Sequence, residues 1–312
     1  MLRYRLPVAT LVILALVGLG WLDHRAGAAG LWLGPLLLVF VVLATQELLR
    51  LYAAVGLKPV AAVVYLGTLL VAASPWVDLW RSGNGRLTSG GLDPTGATCA
   101  WDSAAPAYGT LAALVLFLLA AFVAEMARYE KPGGVTARLG AYLLAVCYLG
   151  LPLSFAVRLR LGWGVGALAS LVIVVKMADT GAYVFGRSFG RRKMTPRLSP
   201  NKTWEGALGA LLFAVAGSWA SFAWVVPYTT PGCPAGPSVP PILGWSLYGV
   251  ALAVAGMLGD LAESLLKRDA ALKDSSSWIP GLGGVLDMLD SILFAAPVAL
   301  LGWGLGLAGC TG

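Results

Sequence analysis

Charge is scarce in this sequence. Asp, Glu, Lys and Arg together make up 12% of its 312 residues, about half the share usual in a soluble domain. Hydrophobic residues make up 58%, and the mean hydropathy is +0.80. A water-soluble fold of this length has too little interior to hide so much apolar side chain, so lipid must solvate much of the chain. No internal repeat is found, nor a recognition helix or a stacking platform of aromatic and basic residues. Nucleic acid is therefore excluded as a partner, and the formal net charge of +7 is explained by membrane topology and attraction to anionic headgroups.

What is present is a series of apolar runs of the right length. A bilayer core of about 30 Å takes about 20 residues of helix. Nine runs qualify: 7–22, 31–46, 60–77, 109–127, 139–157, 161–178, 206–227, 244–262 and 286–308. The first resembles the apolar core of a secretory signal, with Arg3 and Arg5 ahead of it, but no convincing cleavage site follows and it is kept as a helix. Orientation follows from the basic residues. With the N-terminus in the cytoplasm, Arg25, Arg81, Arg86, Arg158 and Arg160 fall outside and Lys176 within a span, leaving 16 of the 22 Lys and Arg inside. The expected fold is an all-α integral membrane protein of about nine transmembrane helices, N-terminus cytoplasmic and C-terminus outside. It would lie in the cell (inner) membrane with its chemistry at the cytoplasmic face. Under this topology Cys99, Cys233 and Cys310 lie outside, so a Cys99–Cys233 disulfide and unpaired thiols are both open.

Residues 1–160 read as an N-terminal transmembrane scaffold and 161–312 as a C-terminal catalytic transmembrane region. Few polar residues interrupt the first half, where Glu47 and Arg50, three apart, are placed to pair across a helix turn. The segments 78–108 and 228–243 read as outer loops. After residue 175 the character changes, with polar stretches at 180–205 and 260–290. Ionisable groups in or beside spans cost about 2.5–3.5 kcal/mol each at a helix centre, so they point to function by default.

In the second stretch Asp260, Glu263, Ser264 and Lys267 fall at i, i+3, i+4 and i+7, one stripe of a helix, with Arg268 beside them. Lys273 and Asp274 follow in a polar loop. Gly281, Gly283 and Gly284 then form a turn whose backbone can approach a ligand closely. Asp287 and Asp290 open the last span. Carboxylates from two helices beside Lys and Arg suit a divalent cation and a polyphosphate, since Mg²⁺ takes one or two carboxylates plus phosphate oxygens. In the first stretch, Gly181 to Ser188 is a near miss of a phosphate-binding loop, with Arg187 for the required Lys and no preceding strand, and is rejected. Asn201-Lys202-Thr203 fits a glycosylation sequon but falls on the cytoplasmic side. Ser199, Asn201, Lys202, Thr203 and Glu205 gather hydroxyl, amide, ammonium and carboxylate groups at the mouth of a span.

These residues carry a resemblance. Gly259-Asp260, Glu263-Ser264, Lys267-Arg268, Lys273-Asp274, Pro280-Gly281, Gly283-Gly284, Asp287 and Asp290-Ser291 resemble the C-terminal motif of the phosphatidate cytidylyltransferases. Asp179-Thr180, Ala182-Tyr183, Gly186-Arg187, Ser199-Pro200, Lys202-Thr203 and Glu205-Gly206 are similar to that family's upstream stretch. The likeness is dense from about 176 to 297. It implies transfer of CMP from CTP to phosphatidic acid, giving CDP-diacylglycerol and pyrophosphate in phospholipid biosynthesis, with Mg²⁺ as cofactor and a homodimer as the assembly. Asp260 and Asp287 would be the metal ligands. Lys267 and Arg268 would be catalytic, and Ser199, Asn201, Lys202, Thr203, Glu205, Lys273, Asp274, Gly283 and Gly284 would bind substrate. Glu263 would support the metal or hold a second cation, and Asp290 is a further candidate ligand. Two positions depart from the pattern: Leu282 stands where His is usual and Met288 where Arg is usual. His24, the only histidine, falls on the outer side and cannot substitute. An inactive relative, a CTP-dependent lipid kinase, a cytidylyltransferase for another lipid phosphate and a transporter with an intramembrane carboxylate site are the competing readings.

Overall fold

The computed structural model describes residues 2–26, 30, 32–81, 108–230, 240–272, 276 and 283–309. The helices are α1 (Leu2–Ala26), α2 (Leu33–Ala54), α3 (Ala61–Arg81), α4 (Tyr108–Ala127), α5 (Val135–Ala145), α6 (Leu151–Trp163), α7 (Val165–Phe189), α8 (Trp204–Ala220), α9 (Val226–Thr229), α10 (Pro241–Asp269) and α11 (Val285–Gly304). A π-helical turn joins α5 to α6 and another joins α8 to α9. Eight helical stretches among the described residues are long and apolar enough to cross a membrane, the first Leu33–Ala54 and the last Val285–Gly304. The protein is an all-α integral membrane protein. Its helices run past the expected ends, α7 to Phe189 and α10 to Asp269, because charge interrupts hydropathy but not the backbone hydrogen-bond ladder. The expected Cys99–Cys233 pair lies outside the described residues.

Both π turns have the same local cause. Leu151 N–H reaches back five residues to Val146 O, and Pro152 follows; Val226 N–H does the same to Ser221 O, and Pro227 follows. Proline has no N–H and its ring crowds the preceding turn, so the helix widens by one residue just before it.

The chain divides into two compact units. The first comprises Met1–Gly85, Ala105–Val157 and Leu266–Leu289. Several of its polar groups find partners from within, the favoured arrangement in an apolar solvent. Pro75 cannot donate to Val71 O inside α3, and the Ser74 hydroxyl donates to it instead at 2.7 Å. Ser74 and Thr110 share a second bond of 2.7 Å to α4, and Thr45 and Thr68 join α2 to α3 at 3.0 Å. Glu125, buried on α4, accepts from Arg138 Nε at 2.6 Å and from the Tyr142 hydroxyl at 3.3 Å.

The second unit includes Arg158–Leu265 and Asp290–Gly312. In it α7 packs against α8, and the two meet through glycines. A methyl group on Gly209 would lie 2.6 Å from Gly181 O and 2.5 Å from Phe185 Cβ. In lipid such small residues carry helix association, because close backbone contact replaces the missing hydrophobic drive. Between these helices the chain forms a small hairpin, β1 (Lys193–Thr195) paired antiparallel with β2 (Ser199–Thr203). The hairpin is the only sheet among the described residues, and the hydropathy pattern did not anticipate it. An aromatic cluster of Phe222, Trp245, Tyr248 and Trp303 closes the unit away from it, with Ser170 Oγ accepting from Trp303 Nε1 at 3.4 Å.

Gly209→Ala is expected to cost about 1–3 kcal/mol through overpacking, seen as a lower melting temperature in detergent. Gly140→Ala, where nothing stands within 4 Å, is the control and should leave melting unchanged or raise it.

Candidate active site

In the second unit the carboxylates come together because two backbones touch. Gly259 of α10 lies against Asp290 O and Phe294 Cβ of α11, and any side chain at 259 would collide with that carbonyl. This contact sets Asp260 beside Asp290, and the helical period adds Glu263 one turn along α10. Each of Asp260, Glu263 and Asp290 offers a carboxylate oxygen, and these oxygens all lie within 4.8 Å of one another. Glu263 and Asp290 are buried, at 1% and 7% exposure. Three carboxyl groups this close repel one another, and burial sharpens the repulsion.

The hairpin supplies one counter-charge. Lys202 Nζ sits 2.7 Å from Asp260 Oδ2 and also donates to Met257 O at 3.4 Å. Its neighbours anchor the strand. Thr203 caps α8 by accepting from Gly206 N–H at 3.1 Å, the usual task of a threonine at that position. Glu205, in the first turn of α8, accepts from the backbone N–H of Arg191 at 3.1 Å and of Arg192 at 3.2 Å. Trp204 N–H donates to Arg192 O at 3.0 Å. Among the expected substrate contacts, Thr203 and Glu205 therefore hold the loop, Lys202 faces the carboxylates, Asn201 is exposed and Ser199 half-buried. Gly181 to Ser188 is helical throughout, in line with its rejection as a phosphate loop. An apolar groove of about 660 Å³ runs beside this site between α8 and α10, lined by Trp204, Leu208, Met257 and Leu261 among others.

In the first unit Lys267 Nζ donates to Asp287 Oδ1 at 2.7 Å, and Gly284 N–H donates to Asp287 Oδ2 at 2.7 Å. Gly283 has φ +88°, and a Cβ there would stand 2.5 Å from the same Asp287 oxygen. The glycine turn is thus shaped around the Asp287 carboxylate. Arg268 is exposed and Met288 half-buried. Lys273, Asp274 and Leu282 lie outside the described residues.

One residue of this region was missed in the sequence. Glu47, at 1% exposure in α2, accepts from Ser276 Oγ at 2.6 Å, Val285 N–H at 3.0 Å and Leu286 N–H at 2.8 Å. Read locally it was a partner for Arg50. The available signal was a lone carboxylate inside an apolar span.

The donor set fits a hard divalent cation. Carboxylate oxygens on converging helices, with no soft ligand among them, suit Mg²⁺ or Mn²⁺ over zinc.

Comparison with known proteins agrees with this chemistry. The profile described as Cytidylyltransferase family matches residues 95–303. The chain is similar to the phosphatidate cytidylyltransferase of Synechocystis, 30% identical over 298 residues that cover 92% of this chain and 93% of the relative. It is 41% identical to the Haemophilus influenzae protein of the same name over 134 residues, 43% of this chain and 44% of the relative. For the Pseudomonas aeruginosa protein, also so named, the figures are 38% over 180 residues, 55% of this chain and 61% of the relative. The last two alignments thus span less than two thirds of those relatives, whereas the first is nearly end to end. The chain belongs to the cytidylyltransferase family.

Proposed function

We propose that this protein transfers CMP from CTP to phosphatidic acid, releasing pyrophosphate and leaving CDP-diacylglycerol in the membrane. The observation that carries the reading is the Asp260, Glu263 and Asp290 cluster facing Lys202, in a chain that matches a protein of that name along nearly its whole length. Phosphatidic acid keeps its acyl chains in the bilayer and presents its phosphate to the site, while CTP arrives from the cytoplasm. A phosphate oxygen of the lipid attacks the α-phosphorus, the bond from that phosphorus to the bridging oxygen breaks, and pyrophosphate departs with the electron pair. The nucleophile is already anionic, so no strong general base is required.

The two anions repel, and positioning with charge neutralisation is the main catalytic task in such transfers. Lys202, Lys267 and Arg268 meet the phosphate charge, with Lys273 next along the chain. Asp260 with Glu263 and Asp290, and Asp287 by the family resemblance, would hold Mg²⁺, which supplies charge neutralisation at the triphosphate oxygens. Ser199 and Asn201 remain nucleotide contacts in this reading. The proposed setting is the inner membrane with nine spans, the amino terminus and the site inside. The basic residues support that orientation.

Three outcomes are expected. Purified protein given CTP labelled at the α-phosphate should transfer label to phosphatidic acid, and γ-labelled CTP should not; γ-label on the lipid would point to a kinase instead. Asp260→Asn and Asp287→Asn should each lower turnover by about a hundredfold or more, the scale of a lost metal contact, and near-normal turnover would remove the metal assignment. In a background without cysteine, Arg191→Cys should react with an impermeant thiol reagent only in inside-out vesicles and Tyr228→Cys only in right-side-out ones. The reverse pattern would invert the topology.

A further inference from the structure

The start of α11 is capped from far away in the chain. Helix starts leave N–H groups without partners, and a side-chain oxygen at the N-cap position usually accepts one of them. Here the N-cap is Gly284, which has no side chain. Two carboxylates take its place. Asp287, in the first turn, reaches back to the Gly284 N–H at 2.7 Å, the half of a capping box that a third-position acid provides. Glu47, from α2, takes the next two donors, Val285 N–H at 3.0 Å and Leu286 N–H at 2.8 Å, and ties down Ser276 Oγ at 2.6 Å as well.

The two acids therefore share one helix start, and the direction of Asp287 depends on where that start is held. Gly283 and Gly284 bend tightly around Asp287 and offer no packing side chain of their own. Restraints on the turn among the described residues include the Asp287 bond to Gly284, the Lys267 bond to Asp287 at 2.7 Å, and Glu47. A carboxylate at a helix N-terminus is favoured by the helix dipole, and hydrogen bonds to it are charge-assisted. Glu47 is also buried, so water cannot replace it as acceptor for these donors.

We propose that Glu47 is a positioning residue for the transfer reaction: it ties Ser276 and the first residues of α11, Val285 and Leu286, to α2 and so aims the Asp287 carboxylate at cation and phosphate. This rests on the activity proposed above, and it gives the N-terminal scaffold a direct part in the chemistry. In this role Glu47 acts through Asp287 and not on substrate directly. A glutamine there keeps the shape and one acceptor oxygen, but its amide group cannot accept from the second set of donors.

Two readouts test the clamp. Hydrogen exchange on the purified protein, without metal or substrate, should show the amides of 285 and 286 exchanging at least about tenfold faster in Glu47→Gln than in wild type, with α4 unchanged. In turnover, Glu47→Gln should lower kcat about tenfold and raise half-saturating Mg²⁺ by a similar factor, with the KM for CTP within about twofold. Combined with Asp287→Asn it should be no slower than Asp287→Asn alone, because the two act as one unit. Ser276→Ala removes a single donor and is the variant to use where Glu47→Gln does not fold; about threefold faster exchange at the same amides is expected. Unchanged exchange, or losses that multiply in the double variant, would overturn the positioning role. A wild type that makes no product while the exchange difference persists would overturn the activity beneath it instead.

Discussion

The contact between Gly259 of α10 and the Asp290 carbonyl of α11 is the constraint on which the carboxylate site depends. Helices in lipid gain little from the hydrophobic effect, so they associate where small residues let backbones approach and dispersion contacts accumulate. At Gly259 that general rule has a chemical consequence, because the residues flanking the contact are acids. The same approach that packs the helices brings one carboxylate oxygen each of Asp260, Glu263 and Asp290 to within 4.8 Å of one another, a grouping that a positive charge would favour. Helix packing and the placing of the carboxylates are therefore not separable at this position. A side chain at 259 would move the helices apart and disperse the charge at once.

The polar hairpin answers that charge. A two-stranded ribbon is marginal alone, and this one is held at its base by the Thr203 cap and by Glu205 gripping the amides of Arg191 and Arg192. What these bonds secure is Lys202, the residue that reaches Asp260. Several residues that looked like substrate contacts thus serve to place another that can be one. The start of α11 shows the same economy by another route. There the residues ahead of the helix are Gly-Gly and offer no side-chain acceptor, so the Val285 and Leu286 amides are taken by Glu47, more than two hundred positions earlier.

The membrane environment explains why such bonds form. An unpaired polar group has no water to turn to in hydrocarbon, so Ser74 serves the carbonyl that Pro75 leaves open, and Thr45 pairs with Thr68. The two π turns ahead of Pro152 and Pro227 are the same response in the backbone itself.

The membrane class, most of the spans and the polar stripe Asp260, Glu263 and Lys267 were determined by sequence alone, because hydropathy and helical period are local properties that twenty residues suffice to express. The motif residues also named the family before any coordinates. Only tertiary structure decided that Asp290 joins Asp260 and Glu263, that Lys202 rather than Glu205 faces them, and that Glu47 caps α11. Each of these is a meeting of residues far apart in the chain, governed by how closely two backbones can approach. No periodicity within one segment records such a distance.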